Sequence, residues 1–120
     1  MKRHNFKKLQ IWTESIELVS KIYAFTSKLP DFEKFGLRSQ LNRCSVSISS
    51  NIAEGSSKRT NKHFIKYLDD SLGSAFELET QLIICKNLNY LSEEEFILLE
   101  EIVKKLQQKI SNFIDKLDDN

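Results

Sequence analysis

At 120 residues, 40% of them apolar and 29% charged, the chain suits one folded domain and lies far from the composition of a disordered segment. One proline and three glycines are too few turn residues for a sandwich or barrel of this length, which leaves helices. The net charge of +1 hides a split: residues 1–66 carry 13 basic and 5 acidic side chains, residues 67–120 carry 5 and 12, so the two parts stand at +8 and −7.

The first expected helix runs over about 8–28. It carries two apolar rows, Ile11, Leu18, Ile22, Phe25 and Leu29 in one and Trp12, Ile16, Val19 and Tyr23 in the other. The rows are offset by one residue, about 100° of helix, so the apolar face is wide enough to suggest a second contact, such as another subunit. Leu29-Pro30-Asp31 ends it, because proline pushes the preceding residue toward extended geometry. Asp31 is then placed to cap the next helix, with Glu33 in its first turn.

The second segment, about 33–54, is ambiguous at short range. Residues 44–49 alternate apolar and polar like a strand, yet Leu37, Leu41, Cys44, Ile48 and Ile52 recur at helical steps, and a lone strand would have no partner. Helix is the consistent reading, with Gly55 as its C-terminal stop before the polar linker from Ser56 to Arg59. The third, about 61–88, follows Thr60 as cap and carries Phe64, Leu68, Ser71, Ala75, Leu78, Leu82 and Cys85 in unbroken heptad steps. Gly73, Ser74 and Ala75 are small, suiting a close neighbour near its middle. The fourth, about 93–117, opens on the capping box Ser92 to Glu95, and Phe96, Leu99, Val103, Leu106, Ile110, Phe113 and Leu117 keep the period to its end. Short connections imply antiparallel neighbours, so the expected fold is all-α, an up-down-up-down four-helix bundle in a single domain.

No stretch reaches the ~18 apolar residues of a membrane span, and residues 1–5 lead into no secretory apolar run, so a cytoplasmic protein with no membrane partner is expected. Cys44 and Cys85 lack metal-ligand spacing and fall among apolar neighbours, as small buried hydrophobes do in a reducing compartment. His4 and His63 are the only histidines, and neither stands three residues after a glutamate as a di-iron bundle requires. With no phosphate loop and no histidine beside the serine run 45–50, neither a cofactor nor a catalytic site is expected.

Several short stretches carry a family resemblance. Leu29-Pro30-x-x-Glu33-x-x-Gly36-Leu37, Gln40-x-x-Arg43 and Ser47-Ile48-x-x-Asn51-Ile52-Ala53-Glu54-Gly55 are followed by Gly73-Ser74-x-x-Glu77-Leu78-Glu79-Thr80-Gln81 and Asn87-Leu88-Asn89-Tyr90-Leu91. Together they resemble the bacterial 23S rRNA intervening-sequence proteins, with Cys44 where that family usually has alanine. The resemblance implies a four-helix bundle assembled into a homopentamer. A related branch, the accessory proteins of diversity-generating retroelements, binds a reverse transcriptase and nucleic acid but is more basic than this chain, so that role is the lesser reading.

The candidate nucleic-acid-binding residues are Arg38, Arg43, Lys58, Arg59, Lys62 and Lys66, since seven bases and one acid, Glu54, lie between Lys34 and Lys66. The turn holding Lys58, Arg59 and Lys62 should sit at one end of the hairpin of helices two and three, and copies in a ring would gather its charge around one rim. The same residues also read as ordinary solvated cations. No aromatic interleaves with them, so a base-stacking platform is not expected. Lys2, Arg3, Lys7 and Lys8 form a second basic run, either an arm on phosphates or a solvated terminus. Asn51, Glu54 and Gly55 read as a structural motif fixing the end of helix two rather than as a catalytic group, because spacing does not show that the candidate partner carboxylates, Glu77 and Glu79, converge with Glu54. The expected function is a non-enzymatic homo-oligomer that binds RNA or a ribonucleoprotein, with a protein-interaction scaffold, for example for a reverse transcriptase, as the alternative.

Overall fold

In the computed structural model, which describes residues 3–119, the heptad positions become the interior of four helices: α1 (Gln10–Thr26), α2 (Leu37–Ser56), α3 (Asn61–Asn87) and α4 (Glu93–Asp118). All seven stripe residues of α3 are buried, as are Leu41, Cys44, Ile48 and Ile52 of α2 and every stripe residue of α4 except half-buried Phe113. The strand-like alternation of residues 44–49 lies wholly within α2. Burial decides here: the 3–4 step puts Cys44, Ile48 and Ile52 in the core and leaves Val46 38% exposed, whereas period two would have buried Val46 beside Cys44 and Ile48.

The chain runs up, down, up and down over a body 48 Å long and 23 × 19 Å across. Each helix packs on its sequence neighbour, and α1 touches α4 only sparingly. Ser71 Oγ donates to the Ile48 carbonyl at 2.8 Å across the α2–α3 seam, and Gln107 Nε2 donates to the Ala75 carbonyl at 3.3 Å across α3–α4.

Several expected details are corrected. α2 begins at Leu37 rather than near residue 33, because Asp31–Glu33 form a separate 3-10 turn after Pro30. Asp31 therefore does not cap α2. Glu33 does that work instead: its Oε1 accepts from the Leu37 amide at 3.1 Å, while its Oε2 accepts from the Tyr90 hydroxyl at 3.0 Å, tying two corners together. Gly55 does not stop α2, which continues through Ser56 with no glycine at positive φ. A Cβ on Gly55 would lie 2.8 Å from both Phe64 Cδ1 and Tyr67 Cβ, so close helix approach is its reason. Gly73, expected to admit a neighbour, has nothing within 4 Å of a built Cβ. The left-handed residue is Asn89, at φ 62°, which ends α3 with Tyr90 N donating to the Cys85 carbonyl and Asn89 N to the Lys86 carbonyl.

Thr60 and Ser92 cap α3 and α4 through the His63 and Glu95 amides. The Glu95 carboxylate meets the Ser92 hydroxyl at 3.5 Å rather than the cap amide, so the capping box is half made.

Candidate nucleic-acid interface

Antiparallel topology brings the start of the chain, the α2–α3 turn and the end of α4 to one end of the bundle. The N-terminal segment is fastened across it. Arg3 Nε donates to the Ser57 carbonyl at 2.6 Å, and the His4 amide donates to the Ser56 carbonyl at 3.3 Å. The His4 ring packs 5.0 Å from Phe64 and 6.1 Å from Phe113, so this terminus is a strap rather than a free arm. Lys7 and Lys8 follow in a 3-10 turn, Phe6–Lys8, and are exposed. Lys2 lies outside the described residues.

Of the six candidate cations, Lys58, Arg59 and Lys62 meet at this end, joined by Arg3, with Lys66 one turn further along α3. Arg59, Lys62 and Lys66 are exposed and, among the described residues, none is ion-paired. Lys58 Nζ sits 4.9 Å over the ring of half-buried Tyr67. Asp115, Asp118 and Asp119 close α4 at the same end, and Asp118 shares a depression with Lys62, so the field is mixed rather than uniformly positive.

Arg38 and Arg43 do not join this group. Arg38 opens α2 at the opposite end, about 27 Å from Ser56 at the helical rise. Its Nη2 donates to the Leu29 carbonyl at 2.6 Å, so the guanidinium closes the proline corner. Arg43 is exposed midway along α2, on the rim of a side cleft. Asn51 Nδ2 donates to the Ser47 carbonyl at 2.9 Å and to Ser47 Oγ at 3.0 Å, and Ser47 Oγ lies 2.9 Å from Ser74 Oγ on α3. The Glu54 carboxylate is exposed and, among the described residues, has no hydrogen-bond or ion-pair partner, while its carbonyl accepts from the Ser57 amide and hydroxyl. Among the described residues no group of three His, Cys, Asp or Glu side chains could hold a metal ion, and no helix is long and apolar enough to cross a membrane.

Sequence reasoning gave Phe32 and Phe35 no role of their own, taking all eight phenylalanines as core or subunit-interface residues. These two are 78% and 88% exposed on the corner between α1 and α2, with Lys34 Nζ 5.5 Å from the Phe35 ring. The available signal was that both fall outside every helical stripe, just after a proline. Ile16 and Tyr23, from the second row of α1, are 40% and 47% exposed, whereas Trp12 and Val19 of the same row are half-buried, Trp12 against the core.

The model of the family described as 23S rRNA-intervening sequence protein matches residues 7–112. No curated protein matches the chain. Among solved structures, a Bacteroides thetaiotaomicron protein of the S23 ribosomal protein family, described as having unknown function, superposes with a TM-score of 0.78. The two are 22% identical over 87% of this chain and 97% of that one, a likeness that speaks to fold alone. Since the matched residues run from the 3-10 turn at Lys7 through most of α4, taking in the glutamate-anchored corner and the close α2–α3 crossing at Gly55, the chain belongs to the 23S rRNA-intervening sequence protein family.

Proposed function

We propose that this protein is a non-enzymatic homo-oligomer, a pentamer by its family resemblance, that binds RNA or a ribonucleoprotein through the basic end of the bundle. The observation that carries the reading is the meeting of Arg3, Lys58, Arg59 and Lys62 at one end, with exposed Lys66 beside them. Copies arranged around an axis would multiply that patch. Phosphate contacts position a nucleic acid without reading its sequence, so binding is expected to be sequence-blind. Surface apolar side chains, Phe32 and Phe35 above all, support self-association.

Gel retardation of RNA and DNA at low salt tests this. Binding should weaken with salt, with a log–log slope of about −0.7 to −0.9 per neutralised phosphate, and the triple variant Lys58→Glu, Arg59→Glu, Lys62→Glu should abolish it. Absence of retardation of either polymer by the folded protein overturns the reading. The mixed charge contributed by Asp115, Asp118 and Asp119 favours the alternative, a scaffold for a protein partner such as a reverse transcriptase. A single partner retained after nuclease treatment would support that alternative.

A further inference from the structure

Between α2 and α3, midway along the hairpin and away from the basic end, lies a cleft of about 390 Å³ lined by Gln40, Arg43, Cys44, Ser47, Ser74 and Glu77. That volume is within the ~300–1,000 Å³ usual for small-molecule sites. Its lining is almost wholly polar, in contrast to the apolar seam behind it. Gln40, Arg43 and Ser47 come from α2, and Ser74 and Glu77 face them from α3.

Gln81 stands behind the wall and is only 5% exposed. Its Nε2 faces Gln40 Oε1 and Glu77 Oε1, each at 3.4 Å, while its Oε1 is buried with no partner. The orientation follows from chemistry: an ionised carboxylate can only accept, so the amide must turn its NH₂ toward Glu77 and leave its oxygen unpaired. Gln81 thus positions Glu77 from behind and is not itself part of the lining. Burial, and then the charge and hydrogen-bonding of Glu77, push the Cys44 thiol up to about 12, which keeps it a protonated wall group rather than a nucleophile.

The two charged side chains of the cleft are exposed, come from opposite helices and form no ion pair with each other. Arg43 offers a fork for a carboxylate, and Glu77, held from behind by the Gln81 NH₂, offers acceptors for an ammonium. Ser47 and Ser74 add hydroxyls between them. A nucleobase fits poorly, since no aromatic side chain lines the walls for stacking. We infer that this cleft binds a free α-amino acid, its carboxylate on Arg43 and its ammonium on Glu77.

Titration of the full-length protein with the standard L-amino acids, followed by amide resonances of α2 and α3, tests the inference. At least one should bind saturably at one molecule per chain, and its N-acetyl and methyl-ester derivatives should bind at least about tenfold more weakly. Arg43→Gln and Glu77→Gln, both surface changes, should reduce affinity by at least about the same factor while leaving the fold intact. No saturable shift with any amino acid at millimolar concentration overturns the inference, as does unchanged affinity in both variants. So does a finding that the variants only alter oligomer mass, which would make the cleft a subunit contact. Because neither residue belongs to the basic end, RNA retardation by the same variants reports separately on the function proposed above.

Discussion

A methyl group has opposite consequences at two glycines of neighbouring helices. At Gly55 it would press on Phe64 and Tyr67, whose atoms lie 2.8 Å away and, for Tyr67, belong to the stiff base of the side chain. Gly55→Ala should therefore destabilise the fold by about 1–3 kcal/mol. At exposed Gly73 a Cβ meets nothing, so Gly73→Ala should gain about 0.5–1 kcal/mol from helix propensity alone. Urea denaturation of the two variants checks both signs. The buried thiols give a pH prediction. Burial, with Glu77 second, raises Cys44 from 9.0 to about 12, and burial, with the Glu33 charge second, raises Cys85 to about 11. A folded pKa above the unfolded one means stability fully present below pH 9.0 and lost as pH climbs through the folded values, so the urea midpoint should fall between pH 9 and pH 11. At neutral pH both cysteines should react with a thiol reagent only after unfolding. The sequence showed both as core cysteines, because their helical register is local information. It did not show why Gly55 is glycine, because Phe64 and Tyr67 come to it across a turn.

Among the elements, the α2–α3 hairpin is the most thoroughly stitched and α1 the least, since α1 lacks a side-chain N-cap and meets α4 sparingly. Its main polar tie to α4 is Lys109 on Glu14, at 2.8 Å. Amide hydrogen exchange should accordingly be faster in α1 than in the middle of α3. Removing the α4 cap with Ser92→Ala should cost about 1 kcal/mol. Arg38→Ala tests a division of labour among cations. Its guanidinium holds the Leu29 carbonyl, so the substitution should lower stability by about 1–3 kcal/mol and leave RNA affinity unchanged, the reverse of Arg59→Glu. Helix number and order were legible from the periodic stripes. The start of α2 was not, because Glu33 reaches over four residues to Leu37 and takes its other contact from Tyr90, 57 positions away.

At the scale of the whole molecule, the surface carries more large apolar side chains than one bundle needs. Phe32, Phe35, Phe76, Ile97 and Leu98 are each more than half exposed. The corner bearing the first two is braced by Pro30, Glu33 and Arg38, so the rings are presented rather than folded back. Light scattering should give a mass above that of one chain, and Phe32→Ser with Phe35→Ser should shift it toward the monomer. A stable wild-type monomer at micromolar concentration would remove oligomerisation from the proposed function.

The repeat of apolar residues every three or four positions determined four helices, their order and most of the core, because each stripe is written within a single helix and burial of one face suffices to select it. Only the tertiary structure decided which polar groups meet. Ser47 reaches Ser74 across 27 positions, Arg3 finds Ser57 across 54, and Arg38 parts company with Lys58, which lies just past the far end of α2. Those pairings depend on how the hairpins are wound and on which faces are left uncovered, and side-chain periodicity within one helix carries no information about either.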